Sequence, residues 1–540
     1  MNNLIFVVFY IFLFFFGKGI VSFFKIYFSN DLYFKNLYPI FSLFLIGNIN
    51  ILINFFFPIR ELSIILYIIY LLIAFIGFIK IINEKFEGIK LINLIVIPFL
   101  ISFSSYGIKF HYDAGAYHLN FQNWTYENKI VIGLSNLNPY YSYGSIQEYI
   151  FNQFRFFELN LLFFFVELTF ITSFLCFVFS LLRQNTNSFL RNSSFFILLY
   201  LFLDNFGYKG GGNGAIQIQM VSKPDTAVGT LWIIVCMLVL NNLIEKHTDE
   251  KQQFTILLFS LFAFQLKSNA APLIFLIIYY HFIFRKDIKL FTKPNLFLVS
   301  ILSIFVLKNI LISGCLLFPI ISSCINSLSW TNYAHLLKSA SNTVTYNKRY
   351  EFGENFIEWI NEFINHAYNL QIFLNFLFSI IIIFLVKKIL FKTIAKNTKL
   401  KLSFIIFVTA NFILFFLTVP AFRNAFGYFL SLILIFAIDD LKIRDYFKKY
   451  FNKFTITALI LVVVLLFPRF FMYSEAKINN FNLTDFKIES VDYIKFSEKF
   501  VTPKNTNQCW YQKNCILKTG YNNNFSYSEI FGYQVYVSSK

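Results

Sequence analysis

The sequence predicts an all-α polytopic membrane protein with about 12–14 transmembrane helices. Three observations carry that expectation. Of 540 residues, 57% are hydrophobic and only 14% charged, against about 25% charged in soluble domains. Apolar runs recur, each at or near the length needed to cross a hydrocarbon core of about 30 Å. Lys and Arg collect in particular short loops, giving a net charge of +18. The 78 Phe fit an AT-rich coding bias as well as a membrane. A nucleic-acid partner is excluded, because no soluble basic domain exists to carry one.

The chain opens on "MNNLIFVVFYIFLFFFGKGI". It lacks a basic n-region and a small-residue cleavage site, so it is expected to be a first membrane helix. Apolar segments follow near 37–57, 62–82, 91–108, 156–182, 193–206, 225–243, 254–284, 295–312, 371–386, 403–419, 425–438 and 455–471, after a first near 4–28. The segment 254–284 is interrupted by "QLKSNAAP" and reads as one long span or a hairpin of two short helices.

Orientation follows from the Lys/Arg bias of short loops. Lys80, Lys85 and Lys90 mark one inner loop, Arg183 and Arg191 the next, and Arg285, Lys286, Lys289 and Lys293 another. The runs "KKILFKTIAKNTKLK" and "KIRDYFKKYFNK" mark two more. With those inside, the multi-pass domain 1–471 has external loops 109–155, 204–224 and 313–370, and an external segment 472–540 follows. The assignment closes only if 254–284 is a hairpin. A transporter would more usually carry two similar halves with broken mid-membrane helices, and no convincing internal repeat is present.

The external loop "HYDAGAYHLNFQNW" carries the densest chemistry. At α-helical spacing Asp113, Tyr117, Asn120 and Trp124 share one face, with His118 and Gln122 on a neighbouring stripe. Such a helix is expected in the interface, with Trp and Tyr at headgroup level. Asp113 can act as a general base toward a hydroxyl or cap the helix N-terminus. A divalent metal held by His111, Asp113 and His118 is a third reading, without a recognised ligand signature. No cofactor motif is present.

In "YKGGGNGAIQIQMVSKPDTAVG", Pro224 and Asp225 suit a helix start, with Lys223 just before them. The glycine run lacks the ending of a phosphate loop. Lys308 near the outer end of an apolar helix is expected to snorkel to the interface or to hold a lipid phosphate. Arg423 in "TVPAFRNAFGYF" sits in a very short external turn, where its planar fork suits either a phosphate or a headgroup. Cys509 and Cys515 in "CWYQKNC" read as a disulfide closing a short loop, if the compartment is oxidising.

Taken in order, these pieces resemble an uncharacterised family of bacterial multi-pass proteins related to the C-type (GT-C) glycosyltransferases. "DAGAYHLNFQNW" followed by "GLSNL" is similar to its D-[TA]-G-x-Y-H-x-Q and G-L-x-N-L elements. "KPD" at 223–225, "ISGCLLFP" at 312–319, "PAFRNAFGY" at 420–428 and the CW tail follow in the family's order. Asn120 departs from the pattern's Gln, and Asn138, Pro139 and Tyr140 stand where a His and an Arg are expected. The resemblance implies a transferase of the bacterial inner membrane. It would move a sugar from a polyprenyl-phosphate carrier to a surface glycan or lipid acceptor at the outer face. Asp113 would then be the base, and Arg423, with Lys223 and Lys308, would hold the carrier phosphate. His118, Tyr117 and Asn120 would contact substrate. A surface-polysaccharide polymerase or ligase, or a glycolipid transporter or assembly component, is the alternative.

Overall fold

The computed structural model describes residues 2–23, 34–84, 91–102, 112–155, 161–183, 188–206, 224–288, 291–347, 356–365, 369–394, 397–417, 422–444, 491–497, 499–517 and 525–538. The described chain is a helical polytopic membrane protein. Its helices are α1 (Asn2–Phe23), α2 (Tyr38–Asn54), α3 (Ile59–Asn83), α4 (Ile97–Ser102), α5 (Leu119–Glu127), α6 (Ile146–Arg155), α7 (Leu161–Arg183), α8 (Ser188–Phe206) and α9 (Asp225–Glu245). They continue as α10 (Glu250–Leu266), α11 (Leu273–Ile283), α12 (Lys293–Ser313), α13 (Tyr333–Asn347), α14 (Phe356–Asn365), α15 (Asn369–Leu390), α16 (Thr398–Leu417) and α17 (Phe426–Leu434). Three antiparallel two-stranded sheets join them: β1 (Phe391–Ile394) with β2 (Asp440–Ile443), β3 (Tyr493–Lys495) with β4 (Val501–Pro503), and β5 (Phe525–Ile530) with β6 (Tyr533–Ser538).

Among the described residues eight helices are long and apolar enough to cross a membrane, and four shorter apolar ones accompany them. The expected segment 455–471 lies outside the described residues. Burial sorts the spans. α7 and α9 form the centre of the bundle, whereas α3, α15 and α16 keep most of their residues out of the core, as lipid-facing helices do. α1 and α3 cross in backbone contact. A Cβ at Gly19 would lie 2.0 Å from Ile73 O and one at Gly77 2.0 Å from Phe15 O, the close approach that small residues permit between membrane helices.

The segment 254–284 is two antiparallel helices. α10 ends where Lys267 meets Asp225 at the start of α9, and Pro272 precedes α11. α11 then returns, so that Tyr280 accepts from Asn242 at 3.2 Å and His281 lies 3.4 Å from Gln253. This is the hairpin that the charge-derived orientation requires.

Side-chain pairs gather at both ends of the bundle. At one end Lys18 and Lys35 hold Glu84 at 2.6 and 3.6 Å. There too Lys387 and Lys401 hold Asp439 at 2.7 and 2.9 Å, beside the β1–β2 ribbon. At the other end lie 112–155, the α9 start, the α12 end and the tail from 491.

Candidate functional site

The stretch around Asp113 is not a regular α-helix. Ala114–His118 form a π-helical turn, in which the Leu119 N–H donates to Ala114 O. On an α-helix residues five apart point about 140° away from each other. A turn closed by an i→i+5 bond instead brings them toward one side, and such bulges recur at functional sites. Asp113 and His118, expected on separate stripes, are therefore turned toward one side, and the Tyr117 ring lies 4.2 Å from that of His118. Asp113 makes no side-chain bond that caps the turn. The Tyr117 hydroxyl donates to its Oδ2 over a long 3.5 Å.

His118 rests on Glu148. Its Nδ1 lies 2.6 Å from Glu148 Oε1, and the two side chains are 11% and 4% exposed. Glu148 belongs to α6, which begins after a left-handed Gly144 (φ 40°) and where Ser145 Oγ accepts from the Gln147 N–H at 3.1 Å. A carboxylate bonded to one ring nitrogen fixes the ring's orientation and leaves the other nitrogen for chemistry. Glu148 Oε2 has no hydrogen-bond partner among the described residues.

Further buried ionisable groups surround this pair. Glu148 lies within electrostatic reach of Lys308 and of Glu167. Lys308 is fully buried. Its Nζ donates to Gly144 O and stands 4.3 Å over the Phe305 ring. Gln147 Nε2 donates to Glu167 on α7. Glu167 in turn feels the charge of Asp225, and Lys267 bridges Asp225 to Asn424 Oδ1, the latter at 2.8 Å. Ionisable groups inside a membrane bundle are costly and mark functional sites by default. Burial pushes the phenols of Tyr141 and Tyr149 well up, out of the range in which either could serve as a base.

Aromatic rings and the tail enclose the turn. Tyr117 stacks on Tyr140 at 5.3 Å, Tyr140 on Tyr143 at 6.4 Å, and Tyr143 meets Phe318 edge-on at 5.0 Å. The Cys509 and Trp510 N–H groups donate to Gly115 O at 2.8 and 2.9 Å. Asn120 is fully buried. Its Nδ2 donates to Gln512 O at 2.8 Å, and its Oδ1 accepts from Tyr141. Trp124 is buried against Tyr536. The expectation of an interfacial helix with Trp124 at headgroup level is thus corrected, because the loop 130–143 and the tail cover that face. Asn136 explains part of "GLSNL": its Nδ2 donates to Trp330 O and Tyr536 O at 3.0 and 2.8 Å, joining three distant segments.

The predicted residues separate accordingly. Asp113, Tyr117 and His118 share the turn, Asn120 ties it to the tail, and Lys308 lies beneath it. Lys308 does not snorkel, since Gly144 and two aromatic rings hold it inside. Arg423 lies in the 3₁₀ turn Phe422–Ala425 beside Asn424, but its side chain, like Lys223 and His111, lies outside the described residues. The Cys509–Cys515 disulfide is formed, and a second joins Cys315 to Cys324. Glu148, Glu167 and Lys267 were not singled out in the sequence. A lone acid inside "LLFFFVELTFITSFLCF" is a signal that could have found Glu167. Among the described residues no group of three or more His, Cys, Asp or Glu is arranged to hold a metal ion.

Residues 1–430 match a family described as a domain of unknown function (DUF8201), and the chain belongs to that family. No curated protein and no solved structure matches it.

Proposed function

We propose that the chain is a membrane glycosyltransferase that moves a sugar from a polyprenyl-phosphate carrier to a glycan or lipid acceptor at the outer face of the bacterial inner membrane. The observation that carries this reading is the placement of Asp113, Tyr117 and His118 on one π turn, with His118 seated on a buried carboxylate. Both disulfides gather at the same end of the bundle. Their formation fits an oxidising compartment, the side on which the charge bias places that end.

In the proposed reaction Asp113 takes the proton of the acceptor hydroxyl as its oxygen bonds to the anomeric carbon. The bond from that carbon to the carrier phosphate breaks, and its electron pair leaves on the phosphate. His118, as the imidazolium with its Nδ1–H on the Glu148 carboxylate, donates its Nε2–H to the departing anion. Arg423 and Lys223 complete the neutralisation, as preorganised donors do for developing charge.

The test is sugar transfer by the purified protein in proteoliposomes supplied with polyprenyl-phosphate sugars and glycolipid acceptors. One sugar added per acceptor, with release of polyprenyl phosphate, is the expected result. Growth of long chains would reassign the protein as a polymerase. Intact donor across the panel, from folded protein, would overturn the reading.

A further inference from the structure

The C-terminal hairpin leaves an apolar tip uncovered. β5 and β6 are joined by the two residues Phe531 and Gly532, both at positive φ (51° and 75°). That turn geometry favours Asn-Gly rather than a bulky ring. Phe531 is nonetheless 94% exposed, and Ile530 beside it 50%. A bulky residue in left-handed backbone and open to its surroundings is an outlier worth a functional question.

The position of the tip answers it. The Tyr533 hydroxyl donates to Phe55 O at 2.7 Å, which seats the tip at the turn between α2 and α3. Both helices are candidate membrane spans, so that turn marks the boundary of the bilayer. Phe56 and Phe57 in the same turn are exposed as well, and they continue the apolar face of α3, where Ile64, Ile65 and Ile68 point outward. Basic side chains ring the patch. Lys129 stands 5.5 Å over the Tyr533 ring, and the well-exposed Arg60 and Lys513 share Glu127 at 3.2 and 3.0 Å. An apolar wedge flanked by Lys and Arg is the arrangement that lies in a lipid interface, rings among the acyl chains and cations at the headgroups.

We propose that the tip formed by Ile530 and Phe531 inserts into the adjacent lipid leaflet and anchors the C-terminal segment to the membrane. The same segment closes over Gly115 through Cys509 and Trp510, so the anchor also steadies the cover of the Asp113 turn.

Spin labelling in a bilayer tests it. A nitroxide is attached to Phe531→Cys in the full-length protein, reconstituted into vesicles of phosphatidylethanolamine and phosphatidylglycerol. Cys176 and Cys236 are buried and the remaining cysteines are paired, so labelling is selective. A label at Asn505→Cys, in the exposed polar turn 504–507, gives the aqueous reference. Oxygen should relax the label at 531 several-fold more strongly than a water-soluble nickel complex, with the reverse order at 505. A label at 531 that behaves like the one at 505 would overturn the proposal. So would a label immobilised and shielded from both reagents, which would mean that protein covers the tip.

Discussion

Substituting Ala for Gly115 places a methyl carbon 2.7, 2.9 and 3.0 Å from Cε2, Cζ2 and Cδ2 of Trp510. Carbon atoms pack at about 3.5–4.0 Å, so the ring has to retreat by nearly 1 Å. It has little freedom to do so. Trp510 is buried, its own N–H and that of Cys509 are bonded to Gly115 O, and Cys509 is tied to Cys515. Over-packing of this kind costs about 1–3 kcal/mol. Ala gains about 1 kcal/mol over Gly in helical backbone, so Gly115→Ala should be net destabilising by up to about 2 kcal/mol. Thermal unfolding of the purified protein in nanodiscs measures this. In a Trp510→Leu background the clash is gone, and the same Ala should become neutral or stabilising. A Gly115→Ala protein that melts at or above wild type, with Trp510 present, would refute the clamp between tail and turn.

Much of the bundle was legible because burial in lipid demands long apolar runs, and a run needs no partner to be recognised. The break in 254–284 was legible too, since Lys267 and Pro272 interrupt the pattern locally. The site was less so. Asp113 and His118 were placed on different stripes because a 3.6-residue period was assumed, and a π turn leaves no sequence mark of its own. Glu148 and Lys267 matter through partners far along the chain, His118 and Asp225, and only folding reveals those pairings. Cys509–Cys515 stood out in a polar tail at close spacing. Cys315–Cys324 was hidden because both thiols border apolar sequence, where a reduced Cys is equally at home.

Glu148→Gln should lower transfer about 10- to 100-fold, the worth of a charge-assisted hydrogen bond of about 1.5–3 kcal/mol. Adding His118→Gln should cost little more, and strictly multiplicative losses would show that the two do not act as a unit. Lys267→Met deprives the buried Asp225 of its cation and should destabilise by about 3–5 kcal/mol; the Asp225→Asn, Lys267→Met double variant should recover most of that in thermal unfolding. Burial by itself raises the Asp439 carboxyl, but Lys387 and Lys401 outweigh it and hold the group below its ordinary value. A lowered folded value gives stability that is full above the ordinary carboxylate range, about pH 4, and is lost as pH falls from there through the folded value. Wild type should therefore lose melting temperature on acidification below about pH 4 more steeply than Asp439→Asn; parallel curves would show that the pair contributes nothing.

The most direct test of the account is turnover by Asp113→Asn, which keeps the side chain's shape and removes its basicity. General-base catalysis contributes about 10²- to 10⁴-fold, so sugar transfer from polyprenyl-phosphate donor should fall by that factor, with wild-type melting behaviour and donor binding retained. Near-normal turnover by the folded variant would contradict the assignment of Asp113 as the base.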